Sequence, residues 1–156
     1  MGSGLRLLGC LAGLALSAQA SPPANPIIGM WKLNVAKSRF DPGPGWRSQT
    51  RIYQRTPEGI SISWSGVGAR GEAMRVSYTI PFDGRDTPMV GSANYDTLNS
   101  IRIDALTVKS EEKRDGKVAG ISIRKLSPDG KVMTITDKGT NRKGEKFSQL
   151  LVFERQ

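Results

Sequence analysis

Apolar and polar residues alternate along most of the chain after residue 26. The alternation is clearest over 60–65 and 74–82, and it recurs over 101–103 and 119–123. A period of two with one apolar face is typical of antiparallel strands whose other face meets water. The pattern predicts nine strands, over 27–33, 47–55, 59–65, 73–81, 98–103, 106–112, 118–126, 132–138 and 146–154.

Short turn signals separate these strands. Asp83-Gly84, Asp115-Gly116 and Asp129-Gly130 each lie between two of them, and glycine accepts the positive φ that hairpin turns need. Asn34 followed by 35–39 predicts one capped helical turn. Successive hairpins predict an all-β fold, an antiparallel up-and-down β-barrel of about 8–10 strands whose closure removes exposed edges. A two-sheet β-sandwich would give a similar pattern and is the alternative.

The first 20 residues have the features of a signal peptide. Arg6 precedes the short apolar run 7–16, and the small residues around Ala20 form a cleavage site. The run is too short for a transmembrane segment, which needs about 20 residues. We therefore expect cleavage after Ala20 and a periplasmic or secreted protein. Because Leu7 to Cys10 resembles a lipobox, lipoprotein processing at Cys10 stays open.

Composition narrows the chemistry of the mature chain. Loss of Arg6 lowers the net charge from +9 to +8, and loss of Cys10, the one cysteine, leaves no thiol. The chain has no histidine, which excludes Ser-His-Asp or Cys-His catalysis and His-ligated haem or zinc. Residues 21–26 contain three prolines and predict an extended leader. We expect 27–156 to form a single domain, a monomer without metal or cofactor.

The segment that begins at Gly29-Met30-Trp31 carries a family resemblance. Gly-x-Trp continues through Trp31-Lys32-Leu33-Asn34 to Lys37-Ser38-Arg39-Phe40. This run resembles small exported bacterial lipocalin-like proteins of the calycin (lipocalin and fatty-acid-binding) superfamily. The resemblance implies a lipocalin-like β-barrel with a ligand cup, and a late arginine packed on the tryptophan, for which Arg155 is the candidate. Nitrobindin-type haem barrels share the architecture, but their proximal histidine has no counterpart here.

Several residues fall on the predicted inward faces and form the candidate ligand site. Trp64, Met74 and Tyr78 would wall a cavity, and Ser48 or Thr50 would orient the ligand. The segment 34–46 would act as a lid. The leading hypothesis is a non-catalytic, exported barrel that binds a small apolar or amphipathic molecule. The candidate interior residues are Trp31, Ser48, Thr50, Ile52, Ile62, Trp64, Met74, Val76, Tyr78 and Phe82.

A second group of residues would form a basic outer face. Arg47, Arg51 and Arg55 share one parity of a predicted strand, and Arg75 lies near them. The alternative function is therefore a filled barrel that acts as an interaction module and binds an anionic cell-envelope component or a protein partner. A nucleic-acid surface is not expected, because only one aromatic residue, Tyr53, shares this face.

No constellation of residues points to catalysis. The carboxylates lie mostly in predicted turns, and no pair is expected inside the barrel. Gly66-x-Gly68-x-x-Gly71 matches a dinucleotide fingerprint, but it lies in a hairpin where no helix follows. We therefore expect no catalytic residues, no metal ligands and no enzymatic activity.

Overall fold

Residues 25–156 are described by the computed structural model, and they fold into one eleven-stranded antiparallel sheet. The predicted signal peptide, Cys10 and most of the predicted leader lie outside the described residues. The strands are β1 (Gly29–Leu33), β2 (Arg39–Asp41), β3 (Ser48–Thr56), β4 (Gly59–Val67), β5 (Ala73–Ile80), β6 (Thr87–Pro88), β7 (Thr97–Arg102), β8 (Thr107–Arg114), β9 (Lys117–Leu126), β10 (Val132–Thr140) and β11 (Lys146–Arg155).

The sheet curls into a nearly closed barrel. Its order is β5-β4-β3-β1-β11-β10-β9-β8-β7-β6, with β2 paired to β11. The two outer strands approach each other where Ser77 and Val90 exchange backbone hydrogen bonds of 3.0 and 2.9 Å. This continuous order confirms the up-and-down barrel, and the sandwich alternative is wrong because no second sheet forms among the described residues.

All nine predicted strands are present, with ends that differ by up to two residues. β2 and β6 were not predicted, because three and two residues are too short to show a period. The predicted helical turn is a 3-10 turn, Val35–Lys37, and the Asn34 side chain accepts the Lys37 amide at 3.1 Å. No helix within residues 25–156 is long and apolar enough to cross a membrane.

One end of the barrel, here called the floor, is filled around Trp31. This side chain is fully buried, and its Nε1 donates to the Ile27 carbonyl at 2.9 Å. The Arg155 guanidinium lies 4.4 Å from the indole centroid and donates to the Ile28 carbonyl at 2.8 Å. The expected packing of Arg155 on Trp31 is thus confirmed. The floor core also contains Leu33, Ile60, Ile62, Ile80, Leu126, Met133, Ile135 and Phe153.

The outer surface of β7 and β9 carries apolar side chains. Ile101, Ile103, Ile121 and Ile123 are between 40% and 56% exposed. The alternation in these strands is real, but the expectation that their apolar face turns inward is wrong. Leu98 and Leu126 are the buried apolar residues of the inward faces, and the other inward positions hold smaller or polar residues, namely Ser100 on β7 and Gly120, Ser122 and Arg124 on β9.

Candidate functional site

The opposite end of the barrel, the mouth, encloses a cavity of about 300 Å³. Residues 40–46, the turn 68–72 and the loop 89–95 surround it, together with inward side chains of the adjoining strands. The volume lies at the lower limit of the range typical of small-molecule sites. The cavity therefore suits a compact ligand.

The lid of this cavity is the segment 40–46, the second half of the segment predicted for that role. Phe40 lies against Gly45, where an added Cβ would collide with its ring. Trp46 meets Trp64 edge to face, with centroids 5.5 Å apart. Gly66 makes room for this contact, since a Cβ there would lie 3.2 Å from the Trp46 ring. The first half of the predicted lid runs beside β11, where Ser38 Oγ accepts the Val152 amide at 3.0 Å.

One side of the cavity, the aromatic wall, comprises Trp46, Trp64, Met74 and Tyr78, while Phe40 of the lid is the cross-strand partner of Gln149. The predicted residues Trp64, Met74 and Tyr78 are brought together here, because they occupy inward positions of the paired strands β4 and β5. Burial raises the pKa of the Tyr78 phenol, so this hydroxyl stays protonated at neutral pH. The aromatic wall offers mostly apolar contact, with the Tyr78 hydroxyl and the indole N–H groups as its polar atoms.

The facing side, the carboxyl wall, comprises Tyr95, Glu112, Asp137 and Gln149. Glu112 on β8 and Asp137 on β10 lie on either side of β9 and are paired there with Gly120 and Ser122 respectively. Because these β9 residues are small, the two longer acidic side chains have space to extend into the barrel. The expectation that no carboxylate pair lies inside the barrel is therefore wrong.

The loop that carries Tyr95 is held by two arginines. Arg114 donates to the Asn94 carbonyl at 2.8 Å and stacks 6.0 Å from the Tyr95 ring centroid. Arg142 donates to the Ala93 carbonyl at 2.7 Å. These bonds tie the loop to the neighbouring strands, so the Tyr95 phenol is anchored in the wall.

Four buried polar atoms have no hydrogen-bond partner among residues 25–156, and all belong to residues that line the cavity. They are Gln49 Nε2, Tyr95 Oη, Glu112 Oε2 and Asp137 Oδ1. Buried polar groups in proteins are nearly always hydrogen-bonded. Partners for Gln49 Nε2 and Tyr95 Oη would come from solvent or from a ligand in the cavity, whereas Glu112 and Asp137 can also share a proton with each other.

The two carboxyl groups of the wall hold their protons more tightly than usual. Burial raises the pKa of Glu112 well above its ordinary range, and the nearby Asp137 adds to the effect. Burial also raises the pKa of Asp137, against the opposing influence of Gln149 and Arg51. Gln149 donates to Asp137 Oδ2 at 2.8 Å, which leaves Oδ1 directed elsewhere.

Beneath the cavity lies a layer of guanidinium groups on aromatic rings. Arg51 is only 8% exposed, and its Nε donates to Gln49 Oε1 at 2.9 Å. Its guanidinium carbon lies 5.5 Å from the Trp64 centroid and 5.1 Å from that of Phe153. Arg124 is placed similarly, 5.1 Å from the Tyr53 centroid. This layer separates the cavity from the apolar floor.

The inward face of β3 is the opposite of the predicted one. Gln49, Arg51 and Tyr53 are buried inside, and Ser48, Thr50 and Ile52 take the outer parity. Ser48 and Thr50 border a shallow groove on the outside of the barrel with Arg75. The period of two was correct, but the choice of face was wrong, because Ile52 suggested an apolar interior where the interior is polar. An error of one residue moves every side chain to the other face.

The predicted basic outer face does not exist as one surface. Arg51 points into the barrel, and Arg47 and Arg55 share its parity but lie exposed at opposite ends of β3. Arg47 is next to the 68–72 turn at the mouth, where its Nη1 lies 3.6 Å from the Cβ position of Gly71. Arg75 alone has the outward, exposed position that was expected.

The remaining predicted interior residues do not line the cavity. Trp31, Ile62 and Val76 are buried in the barrel interior beneath it. Phe82 follows β5 with a φ of 57°, packs against the core and has the Arg102 guanidinium 4.6 Å from its ring centroid. These four residues support the barrel, and the aromatic wall rests above them.

Sequence reasoning missed Trp46, Tyr95, Glu112, Asp137 and Gln149. A signal existed for two of them: Glu112 and Asp137 lie within predicted strands, near the ends of 106–112 and 132–138, and acidic residues, aspartate above all, are depleted in strands. Nothing in the local sequence indicates that Trp46 or Tyr95 would fold over the mouth, since both lie in irregular segments.

Comparisons with known proteins identify structural likeness only. No protein-family model and no curated protein matches the sequence. The zebrafish ileal bile acid-binding protein complexed with cholic acid is 6% identical with a TM-score of 0.49, over 84% of this chain and 99% of that one. The siderocalin Ex-FABP, described as having dual ligand specificities, is 10% identical with a TM-score of 0.36, over 84% of this chain and 74% of that one.

Proposed function

We propose that this protein binds a small apolar or amphipathic molecule in the mouth cavity and releases it chemically unchanged. The observation that carries the proposal is the cavity itself: an aromatic wall faces a polar wall beneath the 40–46 lid. Ligand pockets in general combine apolar lining with a few placed polar groups. We further propose that the protein acts as a monomer and needs no metal or cofactor.

Binding would draw mainly on apolar burial against the aromatic wall. Removal of apolar surface from water contributes about 25 cal/mol per Å², from which the cost of ordering ligand and lid is subtracted. Trp46 and Trp64 are held in place by their mutual contact, so little additional ordering of these rings is required. The carboxyl wall would then set the orientation of the ligand.

Export completes the proposal and rests on the sequence of residues 1–20. The mature protein would begin at Ser21 in the periplasm or outside the cell. Intact-mass measurement of protein recovered from the periplasmic and culture fractions tests this. A mature protein that retains residues 1–20 would contradict it, and one that begins at a lipid-modified Cys10 would support the lipoprotein alternative.

The interaction-module alternative loses two of its premises. It assumed a filled barrel, and the mouth contains a cavity. It also assumed one basic face, and Arg47, Arg51 and Arg55 do not share an outer surface. We therefore do not propose an interaction module as the function of this protein.

Binding of an apolar fluorescent dye tests the proposed site. We expect the neutral dye N-phenyl-1-naphthylamine to bind the wild type, and Trp64→Leu with Met74→Ala to weaken binding about tenfold, because both remove contact area from the aromatic wall. Ile123→Ser, on the outer surface of β9, is the matched control and should leave the affinity unchanged. Dye binding that is lost in Ile123→Ser and kept in the double variant would place the ligand outside the barrel and contradict the proposal.

A further inference from the structure

Two polar atoms of the carboxyl wall converge on one spot. Gly120 and Gly139 are paired neighbours on β9 and β10. A Cβ on either glycine would collide with the Tyr95 hydroxyl, and a Cβ on Gly120 would also lie 2.8 Å from Glu112 Oε2. Tyr95 and Glu112 are both more than nine-tenths buried, and neither of these oxygen atoms has a partner among the described residues. The glycine pair thus forms a notch that admits two unsatisfied oxygens.

Asp137 brings a third oxygen to the same wall. Its Oδ2 is occupied by Gln149, whereas its Oδ1 is buried without a partner within residues 25–156. Asp137 raises the pKa of Glu112 through its charge and through a hydrogen bond that forms when one of the two groups is protonated, and the same hydrogen bond lowers the pKa of Asp137, so the two carboxyl groups are neighbours. Ionised carboxylates only accept hydrogen bonds. The wall therefore calls for a partner that donates.

The charges around this wall are unequal. Arg51 is the cation that acts on both carboxyl groups, and its Nε is engaged with Gln49. In the part of the chain that the structure describes, neither Glu112 nor Asp137 takes part in an ion pair. Because the pKa of both carboxyl groups is raised, a proton is retained there while Arg51 is the one opposing cation; with both groups ionised, two negative charges would face one positive charge. One further cation would balance the site.

We propose that the ligand is a compact amphipathic amine, with its ammonium group among Glu112, Asp137 and the Tyr95 hydroxyl and its apolar body against the aromatic wall. An ammonium group has one positive charge, three donors and no acceptor, which complements three oxygens and one missing charge. Both walls line one cavity, and they come from strands that are well separated in the sheet order, β4 and β5 against β8 and β10, so one molecule would reach both. This inference rests on the proposed function and specifies its ligand class.

A matched set of three probes tests the head group. 4-Phenylbutylamine, 4-phenylbutanol and 4-phenylbutanoate share one apolar body and differ in charge, and their phenyl ring leaves tryptophan fluorescence readable. We expect calorimetry to show the amine binding at least tenfold more tightly than the alcohol and the butanoate, as the loss of hydrogen bonds to charged groups predicts. Mass spectrometry should recover the amine unchanged.

Variants assign the preference to the carboxyl wall. Glu112→Gln and Asp137→Asn should each weaken amine binding about tenfold and leave alcohol binding within threefold. Tyr95→Phe keeps the ring and removes only the hydroxyl, so it should weaken the amine by a smaller factor without a folding defect. Glu111→Gln removes a carboxylate from the adjacent outward position and should change neither affinity. Circular dichroism and thermal unfolding check that each variant is folded.

The other possible results contradict the ligand class, the proposed function or both. Tightest binding of the butanoate would overturn the amine and point to Arg51 as the anchor. Equal affinity for the three probes would contradict the proposal that the ligand is an amine and would leave the proposed function intact. Absence of binding by all three, together with absence of dye binding, would overturn both. Loss of amine preference in Glu111→Gln, with Glu112→Gln unaffected, would remove the carboxyl wall from the site.

Discussion

Apolar and polar residues alternate in both halves of the barrel, but the apolar residues face the interior in one half and solvent in the other. On β4 and β5, the apolar residues Ile62, Val76 and Tyr78 face the interior. On β9, Ile121 and Ile123 face solvent, and the interior positions before the core residue Leu126 hold glycine, serine and arginine. The difference shows that alternation defines two faces of a strand, and that the contents of the barrel decide which face turns inward.

The inward residues of the two halves differ because the groups next to them differ. The inward faces of β4 and β5 border the apolar floor and the aromatic wall, where burial of apolar area is favourable. The inward face of β9 lies between Glu112 and Asp137, where large apolar side chains would fill the space that the carboxyl groups occupy. The isoleucines on the outside of β9 retain the β-branched shape that suits a strand.

The largest expected effect is the difference in stability between two isoleucine-to-alanine substitutions, one in each half of the barrel. Ile62→Ala leaves a cavity in the core and should lower the free energy of unfolding by about 2–5 kcal/mol. Ile123→Ala, at a position that is 44% exposed, should cost at most about 1 kcal/mol through lost strand propensity. Urea unfolding measures both values. Equal costs would mean that the two strands do not differ in orientation.

A smaller effect is expected where the notch of the carboxyl wall is filled. Gly120→Ala places a Cβ on the Tyr95 hydroxyl and should cost about 1–3 kcal/mol of stability through overpacking. Ser122→Ala, two residues away on the same inward face, adds no atom and should stay within about 1 kcal/mol of the wild type. A stable Gly120→Ala protein that keeps its amine preference would show that the phenol does not rest in the notch.

The smallest expected effect concerns pH. Because the pKa of Glu112 is raised in the folded protein by burial and by Asp137, the folded state holds this proton at pH values where the unfolded chain has lost it. The free energy of unfolding should therefore fall as pH rises above the ordinary value of 4.5. Glu112→Gln removes this loss, so its free energy of unfolding should fall less between pH 4 and pH 7 than that of the wild type.

Matched denaturation curves at pH 4 and pH 7 check the sign of this effect. Asp137, Arg51 and Tyr95 remain around the substituted side chain. Because Asp137 continues to titrate, the free energy of unfolding of the variant should vary less with pH than that of the wild type, but it should still vary. Glu111→Gln, on the outer face, removes an exposed ion pair with Lys109 and should change stability by less than about 1 kcal/mol. A steeper pH dependence in Glu112→Gln would contradict the assigned burial of this carboxyl group.

Much of the fold was accessible from the sequence, and little of the site was. The strands, the hairpin turns and the packing of Arg155 on Trp31 follow from short-range pattern and from the Gly-x-Trp resemblance. On the aromatic wall, Trp64, Met74 and Tyr78 were predicted because apolar residues there do face inward. On β3, the buried Arg51 was placed outside, because a charged residue in a strand is normally solvated and its shielding by Trp64 and Phe153 comes from other strands.

The sequence by itself determined the period of each strand, the positions of the turns and hence a series of antiparallel hairpins that fits a barrel or a sandwich, because these features depend on neighbours within a few residues. Only the tertiary structure decided which face of β3, β7 and β9 turns inward and which carboxyl groups meet. Glu112 and Asp137 are 25 positions apart by their numbering and are brought together across β9. Closure of the sheet decides how deeply these two side chains are buried and which charges lie near them. Those neighbours are distant in the sequence, so the local pattern does not reveal them.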